Sequence, residues 1–305
     1  MDIGINGSGL LASPNLDEIV DDIVASEDAG FSSYWLAQTG LLDALGTLSL
    51  AGRDTSLIEL GTAVVPTWPR HPQALAAQAL TTQAATGGRT ILGIGLAHQP
   101  SVEDRWKMAW ERPIRHILDY LNVLDPLLCE GSSDYDGDIW SFEGGAVRPT
   151  EDPPKVMLAA LGDQMLRIAG RRTDGTILWC VGPKALAQQI VPKINDAAAS
   201  VDRPAPRVVC SLPVAVTDDP AAMRGLVGVV LKDYATLPSY RAMLDIEGVQ
   251  GVEEISLIGS EDEVREGLAT IAESGATDFT AVVVASDPDE RARTLAVLGE
   301  AQASR

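Results

Sequence analysis

Few residues of this 305-residue chain are of the kinds that do chemistry, and their spacing narrows the options. Cys129, Cys180 and Cys210 are odd in number and far apart, which suits neither a disulfide framework nor a metal cluster. The histidines His71, His98 and His116 lack any H-E-x-x-H spacing, so no metal is expected. The polar and glycine positions that follow apolar runs are Asn6 and Gly7, Gln38 and Thr39, residues 63–68, Gly95 to His98, residues 161–164, residues 181–183, and Ser286. They hold no pair of carboxylates and no nucleophile beside a base, so hydrolytic or glycosidic chemistry is badly supplied. A site with few acids and bases but several glycines suits a cofactor that carries its own chemistry.

Within that set, His98 lies just past a glycine-rich run and titrates near neutrality, which makes it the candidate proton donor. Thr39 is the candidate polar partner near the reacting carbon. The competing reading of His98 is a histidine packed in a loop. Gly162-Asp163 and Gly182-Pro183 each open a helix, and two such N-termini could hold a phosphate. The same glycines could serve only as tight turns.

The elements that must position these groups alternate along the chain. Residues 57–98 read as strand, irregular turn, helix, Gly87-Gly88 break and second strand. Residues 58–65 and 90–97 are apolar runs, as strands buried on both faces should be. Pro66, Pro69 and Pro72 keep the turn out of helix, and Pro72 suits the first helical turn. The two glycines late in the second strand mark a close approach by a ligand or another backbone. Strands are expected at 2–6, 33–38, 156–161, 176–181, 207–217 and 279–285 as well. Helices are expected at 15–30, 41–50, 106–128, 163–172, 185–200 and 287–302, with a long helical stretch over 218–246. Ser260 and Glu263 form a capping box ahead of a last crossover helix. Residues 131–154 break the rhythm and read as a hairpin-bearing insertion. Eight βα units in unbroken order predict one (β/α)8 TIM barrel over residues 1–305. It carries an insertion after the fourth helix and an extended helical segment after strand seven. A dinucleotide fold is disfavoured, because Gly7-Ser8-Gly9 is followed by Leu10-Leu11-Ala12 and the G-x-G-x-x-G pattern fails.

The formal charge of −20, from 23 basic and 43 acidic residues, argues against nucleic acid and anionic membranes as partners. No apolar run is long enough to span a bilayer and no signal peptide is seen, so the cytoplasm is expected. An anionic cofactor must then be held locally, by backbone N–H groups or a few arginines.

Residues 61–98, from Gly-Thr-Ala-Val-Val-Pro through Arg-His-Pro to Leu-Gly-Ile-Gly, resemble the third and fourth units of the bacterial luciferase-like family, particularly its coenzyme F420-dependent oxidoreductases. Residues 158–183 and 258–279 are similar to later segments of the same family. The resemblance implies a barrel that binds F420, or alternatively FMN, at its carboxyl end and acts on a small-molecule substrate. It implies a non-proline cis peptide at Ala63-Val64 behind the ring. Cofactor contacts are then expected at Gln38, Thr39, Ala63, Val64, His98, Leu161, Gly162, Asp163, Gln164, Val181, Gly182 and Pro183, with the phosphate at the two helix starts, near Gly162 to Gln164 and Gly182-Pro183. Gln38-Thr39 and His98 stand where several F420 enzymes carry an Asp-His pair and a Glu. The expected activity is hydride transfer between F420 and a small organic substrate. An FMN-dependent monooxygenase is the alternative of the same fold, and a non-catalytic flavin or deazaflavin carrier the alternative of another class. A homodimer is a further expectation.

Overall fold

The computed structural model describes residues 1–12 and 14–304. Eight parallel strands close on themselves: β1 (Asp2–Asn6), β2 (Ser33–Leu36), β3 (Glu59–Thr62), β4 (Thr90–Gly95), β5 (Lys155–Leu158), β6 (Gly175–Trp179), β7 (Arg207–Val216) and β8 (Asp278–Val283). Closure is made by β8 pairing with β1, in register Ile3↔Phe279 and Ile5↔Ala281. The fold is the expected (β/α)8 barrel.

Side-chain parity along the strands separates two cores. Ile3, Ile5, Tyr34, Leu60, Leu92, Val208, Cys210 and Phe279 pack outward beneath the helices. Trp35, Ile91, Met157, Ile177 and Val209 fill the barrel interior. Trp35 is fully buried there, and Gly61 makes room for it, since a Cβ at Gly61 would lie 2.3 Å from the indole. At the amino end Arg207 spans the interior, paired with Asp278 and with Glu59 at 2.9 Å.

The helices follow from their caps. Asn15 accepts from the Asp17 N–H at the start of α1 (Leu16–Asp28), and Asp43 accepts from Gly46 at the start of α2 (Ala44–Asp54). Pro72 is the first residue of α3 (Pro72–Ala85), capped by the His71 ring, and Gly87 and Gly88 end it at positive φ. The chain continues through α4 (Pro113–Cys129), α5 (Asp163–Arg172), α6 (Val191–Ala199), α7 (Pro220–Leu231), α8 (Pro238–Glu247), α9 (Glu261–Glu273) and α10 (Pro288–Ala303). The Ser260–Glu263 capping box is present.

Several boundaries differ from the sequence reading. The helix after β2 runs to Asp54 and contains Gly52, whose missing Cβ lets it lie against Thr86. Residues 106–112 are not helical; the helix starts at Pro113, which favours a first-turn position over a helix interior. The strand expected at 58–65 stops at Thr62, and Val65–Pro66 resumes pairing with β4 after a two-residue bulge. A short strand, Leu257–Gly259, adds to the outer end of β7 and had no alternating pattern to reveal it. After α4, strands Ser132–Asp136 and Ser141–Gly145 form the hairpin of the insertion.

Candidate active site

One cavity of about 970 Å³ opens at the carboxyl ends of the strands, where barrels place their chemistry. Its wall at β3 is the bulge between Thr62 and Val65, where the Ala63-Val64 peptide is cis, as the resemblance implied. The bulge is tied on both sides. The Ala63 N–H donates to Leu36 O at 2.9 Å, and the Gln38 N–H to Val64 O at 3.2 Å. The Thr62 hydroxyl donates to Gly93 O at 2.8 Å and accepts from the Gly93 N–H at 2.9 Å. A Cβ on Gly93 would sit 1.9 Å from Thr62 O, and one on Gly95 2.8 Å from Val64 Cγ2. Gly93 therefore admits another backbone, whereas Gly95 packs against the Val64 and Ala159 side chains and also lines the cavity.

Gln38, Thr39, Ala63, Val64, His98, Leu161 and Gly162 all line this cavity. Their side chains are not equally free. The Gln38 amide donates to Leu42 O at 2.9 Å and accepts from Ala44 N–H at 2.8 Å, so it ties the β2 loop to the start of α2. Thr39 is exposed at the mouth, and its carbonyl accepts from Arg105 at 3.2 Å. His98 is half-buried, with ring edges of Tyr240 and Tyr234 at centroid distances of 5.6 and 6.1 Å. Burial pushes its pKa below the usual 6.5. The imidazole is neutral at pH 7, which fits it to accept a proton or donate one N–H bond better than to act as a cationic acid.

The two helix starts fare differently. Gly162 is the N-cap of α5 and bears no side-chain cap, and its loop reaches the cavity. The Asp163 carboxylate turns away to Lys193 and Gln189, and Gln164 lies in an outer groove with Ile114 and Leu118. Val181, Gly182 and Pro183 stay outside the cavity lining. There, the Glu247 carboxylate at the end of α8 accepts from the Ala185 N–H at 2.7 Å and covers Gly182, where a Cβ would lie 2.6 Å from Glu247 Cδ. The anion that this helix start attracts is the chain's own.

Of the other groups at the site, Asn6 was among the sequence candidates, and the rest were not picked out from sequence. Asn6 donates to Ser211 Oγ at 3.0 Å, and Ser211 donates to Thr280 O at 2.9 Å, a polar column on the cavity floor. Asp22 pairs with Arg291 at 2.6 Å and accepts from Tyr34. Tyr234, Tyr240 and Trp179 stand on or beside the helical segment after β7, which carries no motif. Behind the bulge, the buried His116 stacks on Trp68 at 3.9 Å and accepts from the Trp140 N–H at Nδ1. The proton is therefore on Nε2, which donates to Thr67 Oγ1 at 2.9 Å.

The chain matches the family described as luciferase-like monooxygenase over residues 3–278. It belongs to that family. It is 25% identical over 289 residues to 5,10-methylenetetrahydromethanopterin reductase of Methanolobus tindarius, covering 84% of this chain and 87% of that one. The F420-dependent tetrahydromethanopterin reductase of Methanopyrus kandleri shares the fold with a TM-score of 0.83 and 21% identity, covering 98% of this chain and 97% of that one. The oxygenating constituent of 3,6-diketocamphane monooxygenase from Pseudomonas putida, in complex with FMN, does so with a TM-score of 0.81 and 15% identity over 100% and 99% of the two chains. The protein is thus an enzyme of the F420- or flavin-dependent oxidoreductase and monooxygenase kind, and the reading as a non-catalytic carrier is set aside. No helix among the described residues is long and apolar enough to cross a membrane, and no cluster of His, Cys, Asp and Glu among them could hold a metal.

Proposed function

We propose that the protein is an F420-dependent oxidoreductase that moves a hydride between F420 and a small organic carbonyl compound or its alcohol. The observation that carries this reading is the pairing of a wide cavity at the strand ends with one neutral imidazole, His98. At about 970 Å³ the cavity is near the upper end of the roughly 300–1,000 Å³ usual for a single ligand, so a cofactor and a substrate fit together. The residues present fit the cofactor. Ala63, Val64, Gly95 and Ala159 offer a small-residue apolar wall for a flat ring, and the N–H groups beyond Gly162 are free to receive a phosphate. Gln38, Thr39 and Leu161 would border the ring. In this reading Asp163, Gln164, Val181, Gly182 and Pro183 hold the loops in place and do not touch the cofactor with their side chains.

When bound, F420 supplies the hydride donor or acceptor. His98 takes the proton of an alcohol, or donates its N–H to a carbonyl oxygen. Tyr234 and Tyr240 fix the ring plane of His98 and exclude water beside it. The choice of F420 over FMN leans on the likeness of residues 61–98 to the F420-dependent branch of the family. A homodimer remains part of the proposal, to be read by light scattering. Titrating the purified protein with F420 and with FMN tests the cofactor. Saturable binding of F420 and weaker binding of FMN is expected. A tightly held yellow flavin retained through purification would replace this reading with an FMN-dependent monooxygenase.

A further inference from the structure

The cavity wall made by α7 differs chemically from the rest of the site. Leu226, Val227, Val230 and Leu231 line it, together with Val282 and Val284 at the end of β8. Val227 is buried among Ala215, Met223 and Ile258, with Leu231 and Val284 packed on that cluster. Leu226 and Val230, one helical turn apart, continue this apolar surface out of the mouth, 48% and 67% exposed. Val229 beside them is 69% exposed but lies outside the lining. Large apolar side chains left in water on one helix face, continuous with a ligand cavity, mark where an apolar body is received.

The charges point the same way. The charged side chains among the described lining residues are Asp22, Arg105 and Arg291. Asp22 and Arg291 neutralise each other at 2.6 Å, and Arg105 sits at the opposite loop, donating to Thr39 O. No lysine lines the cavity among the described residues, and the chain as a whole carries −20. A carboxylate or phosphate on the substrate would find no cation on the α7 side and an unfavourable field around it.

We propose that the substrate is uncharged and has a hydrocarbon body, which lies along Leu226, Val230 and Leu231 with its polar end toward His98. This rests on the oxidoreductase reading of the cavity, but it is tested by binding alone. The protein is titrated with 2-alkanones of increasing length and with alkanoates of matching length, with and without saturating F420. Binding is followed by the fluorescence of Trp106, Trp110 and Trp179, which line the same cavity. Ketone affinity is expected to rise roughly threefold to fourfold per methylene over the first several carbons. Alkanoates are expected to bind at least tenfold more weakly. Leu226→Asp and Val230→Asp should flatten the length dependence, Val230→Thr should lower it partly, and Val229→Asp should leave it unchanged. Alkanoates binding as tightly as ketones would overturn the inference. So would a Val229→Asp effect equal to that of Val230→Asp accompanied by loss of a dimer, which would make the patch a contact between copies. Length-dependent ketone binding without any F420 or FMN binding would sink the cofactor reading and leave this one standing.

Discussion

At the scale of single residues, His98 and Gly93 carry the sharpest expectations. His98→Ala should lower turnover by roughly 10²-fold, as loss of an acid–base group does, while F420 affinity changes little. Because burial lowers its pKa, the neutral form dominates above 6.5 and is lost only on the acid side. Alcohol oxidation should therefore hold steady from neutral to mildly alkaline pH and fall below that, and the acid limb should vanish in His98→Gln. A pH–rate profile of kcat/KM decides it, and an acid limb that persists in His98→Gln would return His98 to loop packing. Gly93→Ala puts a methyl into the Thr62 carbonyl and has no room to relax, so a loss of about 1–3 kcal/mol is expected from thermal unfolding. Gly162 meets nothing within 4 Å and has an ordinary φ, so Gly162→Ala should fold as the parent does.

At the scale of elements, two buried polar groups join segments that are distant in sequence. His116 links α4 to the hairpin through Trp140 and to the β3 loop through Thr67. Burial holds its pKa down to about 4, with Asp119 pulling weakly the other way. The unfolded chain binds a proton below 6.5 and the folded chain does not until about 4, so this histidine favours the fold above 6.5. That contribution is lost as pH falls from 6.5 to 4, by about 3 kcal/mol in all. Urea unfolding at pH 7 and pH 4.5 should show a smaller drop for His116→Phe than for the parent. Equal drops would mean the ring is protonated within the fold. Glu247 ties the end of α8 to the loop after β6. Glu247→Ala leaves the buried Ala185 N–H without its partner and should cost about 1–3 kcal/mol. Limited proteolysis of the 232–247 segment should quicken with it.

Across the whole molecule, stability and chemistry lie at opposite ends of the barrel. The Arg207, Asp278 and Glu59 network closes the amino end, with Asp278 almost fully buried. Removing one partner leaves an uncompensated buried charge, so Arg207→Ala should destabilise by about 3 kcal/mol. Cofactor titration of that variant, at a temperature where it is folded, should match the parent. A weakened titration would mean that the barrel ends are coupled.

The barrel, its strand order and several helix ends could be read in the chain, because buried parallel strands are continuous apolar runs and caps are local. The bulge after Thr62 could not, since residues 58–65 read as one unbroken strand. Gly87-Gly88, Pro72 and the Ser260–Glu263 box act within a turn of themselves, and they stand as read. The resemblance named the cis peptide, but the reason for Gly93 and Gly95 appears only where β3 and β4 meet. Equally, nothing local distinguishes Gly162-Asp163 from Gly182-Pro183: each is a glycine opening a helix. Only the packing of α8, from 65 residues further along, puts Glu247 on the second and leaves the first facing the cavity. The lowered pKa of His98 has the same origin, since Tyr234 and Tyr240 bury a ring that in sequence stands alone in a loop. Local sequence sets what a segment can form; which groups are screened, paired or left open depends on neighbours that only the closed barrel supplies.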